Sequence, residues 1–277
     1  MGNDVALVTG TSSGMGLHAA VELARRGLTV VATMRDLDRS AGLRAAAAEA
    51  GVDLDLRTLD VVDHAAAAAC VEAVVADHHG IDVLVNNAGR GAVATAEQLT
   101  MAEVRDQMEV NYLGPVALTQ LVLPHMRAAG SGRVLTVTSV GGAVGQPFAD
   151  AYCGSKFAVE GFMQSLSTVA LAHGVWVSVI EPAAVASEFV ANIDRSHADR
   201  ADDPYAPQLA AYLARSGQAF AAAQSARDAG VAIADAATSD DYRFRWQTSE
   251  AATAFVGLSL GDLDGARVLG TTRTWIE

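Results

Sequence analysis

Along the chain, short runs of β-branched and aliphatic residues alternate with longer stretches in which apolar positions recur every three or four residues. Strands are predicted at "VALVTG" (5–10), "LTVVATM" (28–34), "VDLDLRTLD" (52–60), "IDVLVNN" (81–87), "GRVLTVTS" (132–139), "VWVSVIEP" (175–182) and "ARVLG" (266–270). Helical spacing marks "GLHAAVELARRG", "HAAAAACVEAVVADHH" and "MAEVRDQMEVNYLGPVALTQLVLPHMRAAG" between them. Strands nearly continuous in apolar residues, each followed by a helix, predict a parallel sheet covered on both faces. Right-handed crossovers make this a doubly wound α/β fold of about seven strands.

Residues 183–248 interrupt the alternation: they are rich in Ala, Asp, Ser and Gln, and 205–237 reads as two helices divided near Ser225. In a doubly wound sheet such a segment follows the carboxyl end of a strand, where ligands bind. It is expected to be a substrate lid on a single domain spanning 1–277; a surface excursion without a role is the alternative.

Composition narrows the partners. The chain has 277 residues, 51% hydrophobic, and a formal net charge of −13, which argues against nucleic acid or an anionic membrane surface as partner. An anionic ligand must then be held by a local site. Cys70 and Cys153 are far apart with no CxxC spacing, and the seven histidines form no HExxH-type pattern, so neither a disulfide framework nor a metal site is expected. No signal peptide is recognised ahead of "VALVTG", and the apolar run at 65–76 is too short to span a bilayer. The expectation is a soluble cytoplasmic protein acting on a small molecule.

"VTGTSSGMGLHAAVELARRG" places a strand, a glycine-rich turn and a helix in succession. Gly10, Gly14 and Gly16, with Ser12, Ser13 and Met15 between them, form a cradle in which the backbone can approach a pyrophosphate at the helix N-terminus. This Rossmann-type arrangement predicts a dinucleotide. An acid near the end of the second strand would select NAD through the ribose hydroxyls. Here Met34 holds that position and Arg35 follows it. A guanidinium can fork onto a 2′-phosphate, with Ser12 as a further donor, which favours NADP(H) over NAD(H). The alternative is that Arg35 is a surface charge paired with Asp36.

"AYCGSKFAVEG" (151–161) puts Tyr152 and Lys156 one helical turn apart in a small, apolar stretch. A solvated lysine on an amphipathic helix is one reading. A phenol tuned by a fixed positive charge is the other: at roughly 5 Å and an effective dielectric of about 20, the charge is worth about 3 kcal/mol, or about two pKa units.

The pieces "TGTSSGMG", "NNAG" (86–89), Asn111, Ser139 and "YCGSK", with Ser139 preceding Tyr152 by 13 residues, resemble the short-chain dehydrogenase/reductase family in its single-domain branch. "VVATMRDLDR" and "SGRVLTVTSVGGAVGQPFADAYCGSKFAVEGF" are most similar to its 17β-hydroxysteroid and retinol dehydrogenase group. The resemblance implies hydride transfer between nicotinamide and a carbonyl carbon, with Tyr152 as proton donor and Ser139 bonding the developing oxyanion. It implies that Lys156 polarises Tyr152 and holds the nicotinamide ribose, and that Asn111 holds a water continuing the proton relay. Asp60 and Val61 would meet the adenine; Asn86, Asn87, Ala88 and Gly89 would line the adenosine ribose side and support the central strand. Pro182, Val185 and Ser187 would fix the carboxamide. The family's PGxVxT stands here as "PAAVAS" (182–187), with Ala183 for Gly and Ser187 for Thr. It also implies a homodimer or homotetramer through the helices at 100–129 and 152–173.

Residues beyond the strand ends near the nicotinamide are the substrate candidates: Val140, Gln146 and Phe148, Arg90 and Gly91, and Phe189 at the lid's start. Their mostly apolar or small character suggests a hydrophobic carbonyl compound. An NADPH-dependent ketone or aldehyde reductase, an NAD-dependent alcohol dehydrogenase working oxidatively, and a non-catalytic nucleotide sensor remain as functions.

Overall fold

A computed structural model describes residues 4–188, 193 and 203–276. Val5–Thr9 (β1) is buried at all five positions because helices cover both sides of it. Thr29–Met34 (β2), Asp55–Thr58 (β3), Val83–Asn86 (β4), Gly132–Val137 (β5), Val175–Glu181 (β6) and Arg245–Gln247 (β9) complete a seven-stranded sheet in the order β3-β2-β1-β4-β5-β6-β9. All six of its pairings are parallel. Val185–Ala186 (β7) and Gln224–Ser225 (β8) pair separately.

Alternate residues of each strand feed two cores. Leu7, Val31, Leu84 and Val134 meet His64–His78 (α3), Gly114–Ala129 (α5) and Asp150–Leu171 (α6) through Val71, Leu118 and Met163. Ala6, Val8, Val30 and Val85 meet Gly14–Arg25 (α1), Ala41–Ala50 (α2) and Ala226–Thr238 (α8) through Leu23, Leu43 and Ile233. Strand order reverses between β1 and β4, so their carboxyl ends diverge into a crevice. Met101–Met108 (α4) runs into α5 through a π turn at Glu109–Leu113. Ala206–Ala221 (α7), Glu250–Leu260 (α9) and Ala266–Arg273 (α10) complete the helices among the described residues, and none of these helices is long and apolar enough to cross a membrane.

The structure corrects three sequence expectations. The run at 266–270 is not a strand but the start of α10, with Val268 packed beside the Val140–Val144 cluster and Leu269 68% exposed. A five-residue segment with a charged residue inside it does not discriminate helix from strand. The seventh strand is Arg245–Gln247, which escaped the apolar pattern because polar bonds hold it: Arg245 and Gln247 both reach Glu181 on β6. β3 is also shorter than 52–60.

The third correction concerns 183–248. Only part of that stretch lies over the crevice. α8 lies flat on α1, and β9 sits inside the sheet. The expected break near Ser225 is present, with Ser225 Oγ accepting from Asp228 N at 3.0 Å to cap α8. A Cβ at Gly230 would stand 2.6 Å from His18 Cβ and 2.8 Å from Ala19 N. Gly230→Ala is therefore expected to destabilise the protein by about 1–3 kcal/mol, the overpacking cost exceeding a helix-propensity gain of about 1 kcal/mol. Urea denaturation reads this; an unchanged or raised midpoint would contradict the close α1–α8 packing.

Candidate active site

The crevice is a cleft of about 1610 Å³, larger than a single drug-sized ligand requires. Its floor is the glycine turn. Gly10 and Gly14 have φ of +69° and +61°, a region that non-glycine residues enter at a cost. A Cβ on Gly16 would strike Asn87 Nδ2 and lie 2.5 Å from Gly10 O. The bare backbone leaves the first N–H groups of α1 facing the cleft, as a pyrophosphate requires. Asn87 locks the turn by donating through Nδ2 to Thr9 O (2.8 Å) and Gly10 O (3.1 Å). Thr9 Oγ1 in turn accepts from the N–H groups of Asn87 and Ala88.

Of the residues expected at the cofactor, Gly10, Ser12, Ser13, Gly14, Met15, Gly16, Arg35, Asp60, Val61, Asn87, Ala88, Gly89, Tyr152, Lys156, Pro182, Val185 and Ser187 line this cleft. Asn86 does not. It is buried behind the sheet, its Nδ2 3.4 Å from both Thr119 Oγ1 and Thr136 Oγ1, so it serves the strand alone. Ala183 fits its loop without left-handed backbone, since His79 and Phe148 are the non-glycine residues with positive φ among those described. Arg35 is exposed at the cleft's edge, and no ion pair joins it to Asp36, which instead accepts from Asp38 N at 2.9 Å. The cradle, its free helix start and this guanidinium fit a dinucleotide.

Across the cleft, two residues beyond the end of β5, stands Ser139, whose Oγ accepts from Gly141 N at 2.9 Å. That hydroxyl is hydrogen-bonded to the Tyr152 phenol. Lys156, 5% exposed, donates Nζ to Val137 O at 3.0 Å and lies 5.9 Å from the centre of the Tyr152 ring. Burial pushes the phenol well above its ordinary value of 10, the Ser139 bond only partly opposing it. The expected lowering by Lys156 is thus not realised. Burial can move a group by 3–5 pKa units, more than the two expected of the ammonium. Burial also pushes Lys156 down to about 8, against the pull of Glu160.

Asn111 is buried beside the cleft. In the π turn its Oδ1 accepts from Arg90 N (3.0 Å), and its Nδ2 donates to Arg90 O (2.9 Å), Ser155 Oγ (3.0 Å) and Gln107 Oε1 (3.2 Å). The amide clamps the Arg90 backbone behind Lys156 and Gly89, where a Cβ would be 3.3 Å from Asn111 Oδ1.

Of the substrate candidates, Val140, Gln146, Arg90 and Gly91 line the cleft, with Arg90 3.8 Å from Asp106. Phe148 does not. With φ of +59° and 5% exposure, it backs Tyr212 at a ring separation of 5.6 Å. Phe189 lies outside the described residues. Sequence reasoning missed the opposite wall: Tyr212, Arg215, Ser216, Ala219 and Phe220 from α7, with Phe255 and Trp275. The three- and four-residue spacing along α7 was the available signal.

Also missed was the support behind Tyr152 and Lys156. Glu160, one turn beyond Lys156, accepts from Thr138 Oγ1 at 2.8 Å and from Arg245 Nη1 at 2.5 Å. Arg245 also bonds Glu181, which is fully buried. Burial first, then Glu181, push the Glu160 carboxyl up to about 7 despite Arg245. Among the described residues, no three or more His, Cys, Asp or Glu side chains form a group able to hold a metal ion.

A phosphate cradle and a Ser–Tyr–Lys set facing one another across a single cleft define a dinucleotide-dependent oxidoreductase. Residues 4–198 match the sequence model of the family described as short chain dehydrogenase, and the chain belongs to that family, whose members bind NAD(P). It is 38% identical over 277 residues to human 17-beta-hydroxysteroid dehydrogenase type 1, covering 96% of this chain and 84% of that protein. It is 41% identical over 187 residues to human retinol dehydrogenase 8, covering 66% of this chain and 59% of that protein. A short-chain dehydrogenase structure from Streptomyces avermitilis superposes with a TM-score of 0.79 at 29% identity, over 98% of this chain and 96% of that one. A metagenomic short-chain oxidoreductase in complex with NADP gives 0.71 at 26%, over 89% and 97%.

Proposed function

We propose that the protein reduces the carbonyl group of an apolar small molecule, using NADPH, and runs the reverse alcohol oxidation with the same groups. The observation that carries this reading is the Tyr152 hydroxyl, hydrogen-bonded to Ser139 in the cleft, where its surroundings push its pKa up and favour the protonated phenol. A protonated phenol is the form that donates to a carbonyl oxygen; oxidation would call for the phenolate.

Bound NADPH supplies the hydride. Ser139 Oγ and the Tyr152 hydroxyl converge on one point, so a carbonyl oxygen placed there meets two donors as its charge develops. Tyr152 passes its proton to that oxygen. Lys156, near 8 and therefore able to exchange a proton, stands behind the phenol and would hold ribose hydroxyls through Nζ. Arg35 would hold the 2′-phosphate. Asn111 is a positioning residue that fixes Arg90 and the Gly89 strand end. Residues 203–221 and Ile193 supply the lid side of the cleft.

NADPH consumption across steroid, polyketide-like, retinoid and small aromatic carbonyls tests the reaction; no turnover with any of them, despite NADPH binding, would count against it. For the cofactor, Arg35→Asp is expected to raise the KM for NADPH at least about tenfold while leaving NADH within about threefold. Equal effects on both, or NADH preference in the unaltered protein, would overturn the assignment.

We also propose self-association through α5 and α6. Phe157 and Val169 on α6 are 46% and 64% exposed, apolar surface of the kind that a partner copy covers. Light scattering should give at least twice the chain mass of 28.6 kDa; a monomer at micromolar concentration would contradict it.

A further inference from the structure

Four arginines line the cleft, in a chain where acids outnumber bases 32 to 19. Arg39 lies 3.7 Å from Glu188, and Arg90 lies 3.8 Å from Asp106. Arg35 and Arg215 form no ion pair among the described residues. Arg35 stands beside the glycine cradle. Arg215 stands on α7, at the other side.

α7 turns one face to the cleft. Tyr212 lies close enough to Tyr152 to disturb the phenol's charge, and Arg215 and Ser216 follow one helical turn later, roughly 5 Å along the axis. The Arg215 guanidinium is held 5.3 Å above the centre of the Trp275 ring, and Trp275 stacks on Phe255 at 5.5 Å and 18°. The buried Trp275 Nε1–H has no acceptor among the described residues. This corner of the cleft therefore has aromatic walls and one cation with no ion-pair partner among the described residues.

We propose that the substrate carries a carboxylate, bound by Arg215, at the end of an apolar body whose carbonyl lies at Ser139 and Tyr152. A planar guanidinium on an aromatic face keeps its edge free for a carboxylate's two oxygens. The Phe255–Trp275 stack favours a flat or aromatic body between the two polar ends. The net charge of −13 makes the recognition local: an acid is repelled by the molecule at large and accepted at this corner. This inference rests on the carbonyl-reductase reading and adds a specificity-determining residue to it.

The test uses (4-acetylphenyl)alkanoic acids with zero to four methylenes between ring and carboxylate, each beside its methyl ester. The acids of best-fitting length are expected to exceed their esters at least about tenfold in kcat/KM, and Arg215→Gln to collapse that acid-to-ester ratio to about one through the KM of the acids. Arg215→Lys should keep part of it. Independently of turnover, the acids should raise the melting temperature of the NADP⁺-loaded protein, and the Arg215→Gln variant should lose that shift. Equal rates for acid and ester, unaltered by Arg215→Gln, would overturn the proposal while leaving carbonyl reduction standing. A melting shift that depends on Arg215, with no turnover of either series, would uphold the acid site and count against the reaction.

Discussion

Replacing Tyr152 by phenylalanine is expected to lower kcat for carbonyl reduction by about 10²–10⁴-fold, with NADPH affinity unchanged within about twofold. The substitution removes one hydroxyl from a ring whose packing stays in place, so binding and folding are controlled for. The size follows from the site: the phenol lines the cleft, is bonded to Ser139, and holds its proton more tightly than an ordinary phenol. Stopped-flow hydride transfer, alongside quenching of protein fluorescence by NADPH, separates chemistry from binding. A loss below about tenfold would mean that the proton comes from another group, and the assignment of Tyr152 would fall.

Removing Arg245 as Arg245→Met is expected to cost about 3 kcal/mol of stability at pH 8 and less at pH 5. Breaking a buried ion pair from one side leaves a charge without compensation, typically worth 3–5 kcal/mol; the one-fifth exposure of Arg245 argues for the lower end. Two carboxylates, Glu160 and Glu181, share its guanidinium. The pH dependence has a definite sign. The folded-state value of Glu160 is already raised to about 7 from 4.5, and losing the cation raises it further. A carboxyl raised by folding contributes stability that is present below its unfolded value and lost as pH rises through its folded value. The deficit therefore grows from pH 5 to pH 8. Urea denaturation at the two pH values measures it; a loss under 1 kcal/mol, equal at both, would show that the pairs are not coupled to folding.

The sheet's first six strands and the nucleotide cradle were legible because their signals are local. A strand, a glycine turn and a helix follow one another within 30 residues, and "YCGSK" needs only one helical turn to present Tyr152 and Lys156 together. Arg245–Gln247 was invisible for the opposite reason. Its place in the sheet depends on Glu181, 64 residues earlier, and three residues are too few for a period to stand out. Phe148 read as a substrate contact because it follows β5, but its positive φ turns the ring behind Tyr212. The phenol's environment was misjudged because the sequence shows the neighbouring charge of Lys156 and not the burial that outweighs it.

The division of labour along the chain has a practical consequence. Ser139, Tyr152 and Lys156 all precede residue 157, whereas Tyr212, Arg215, Phe220, Phe255 and Trp275 all follow residue 203. Substrate preference should therefore be transplantable. Grafting 203–221 and 249–276 from another member of the family would exchange the recognition wall and leave the reaction chemistry native. The intervening 226–247 must stay with the recipient, since it carries Gly230 against α1 and Arg245 beneath Glu160. A recombinant library built with those crossover points would vary the ligand without disturbing the engine.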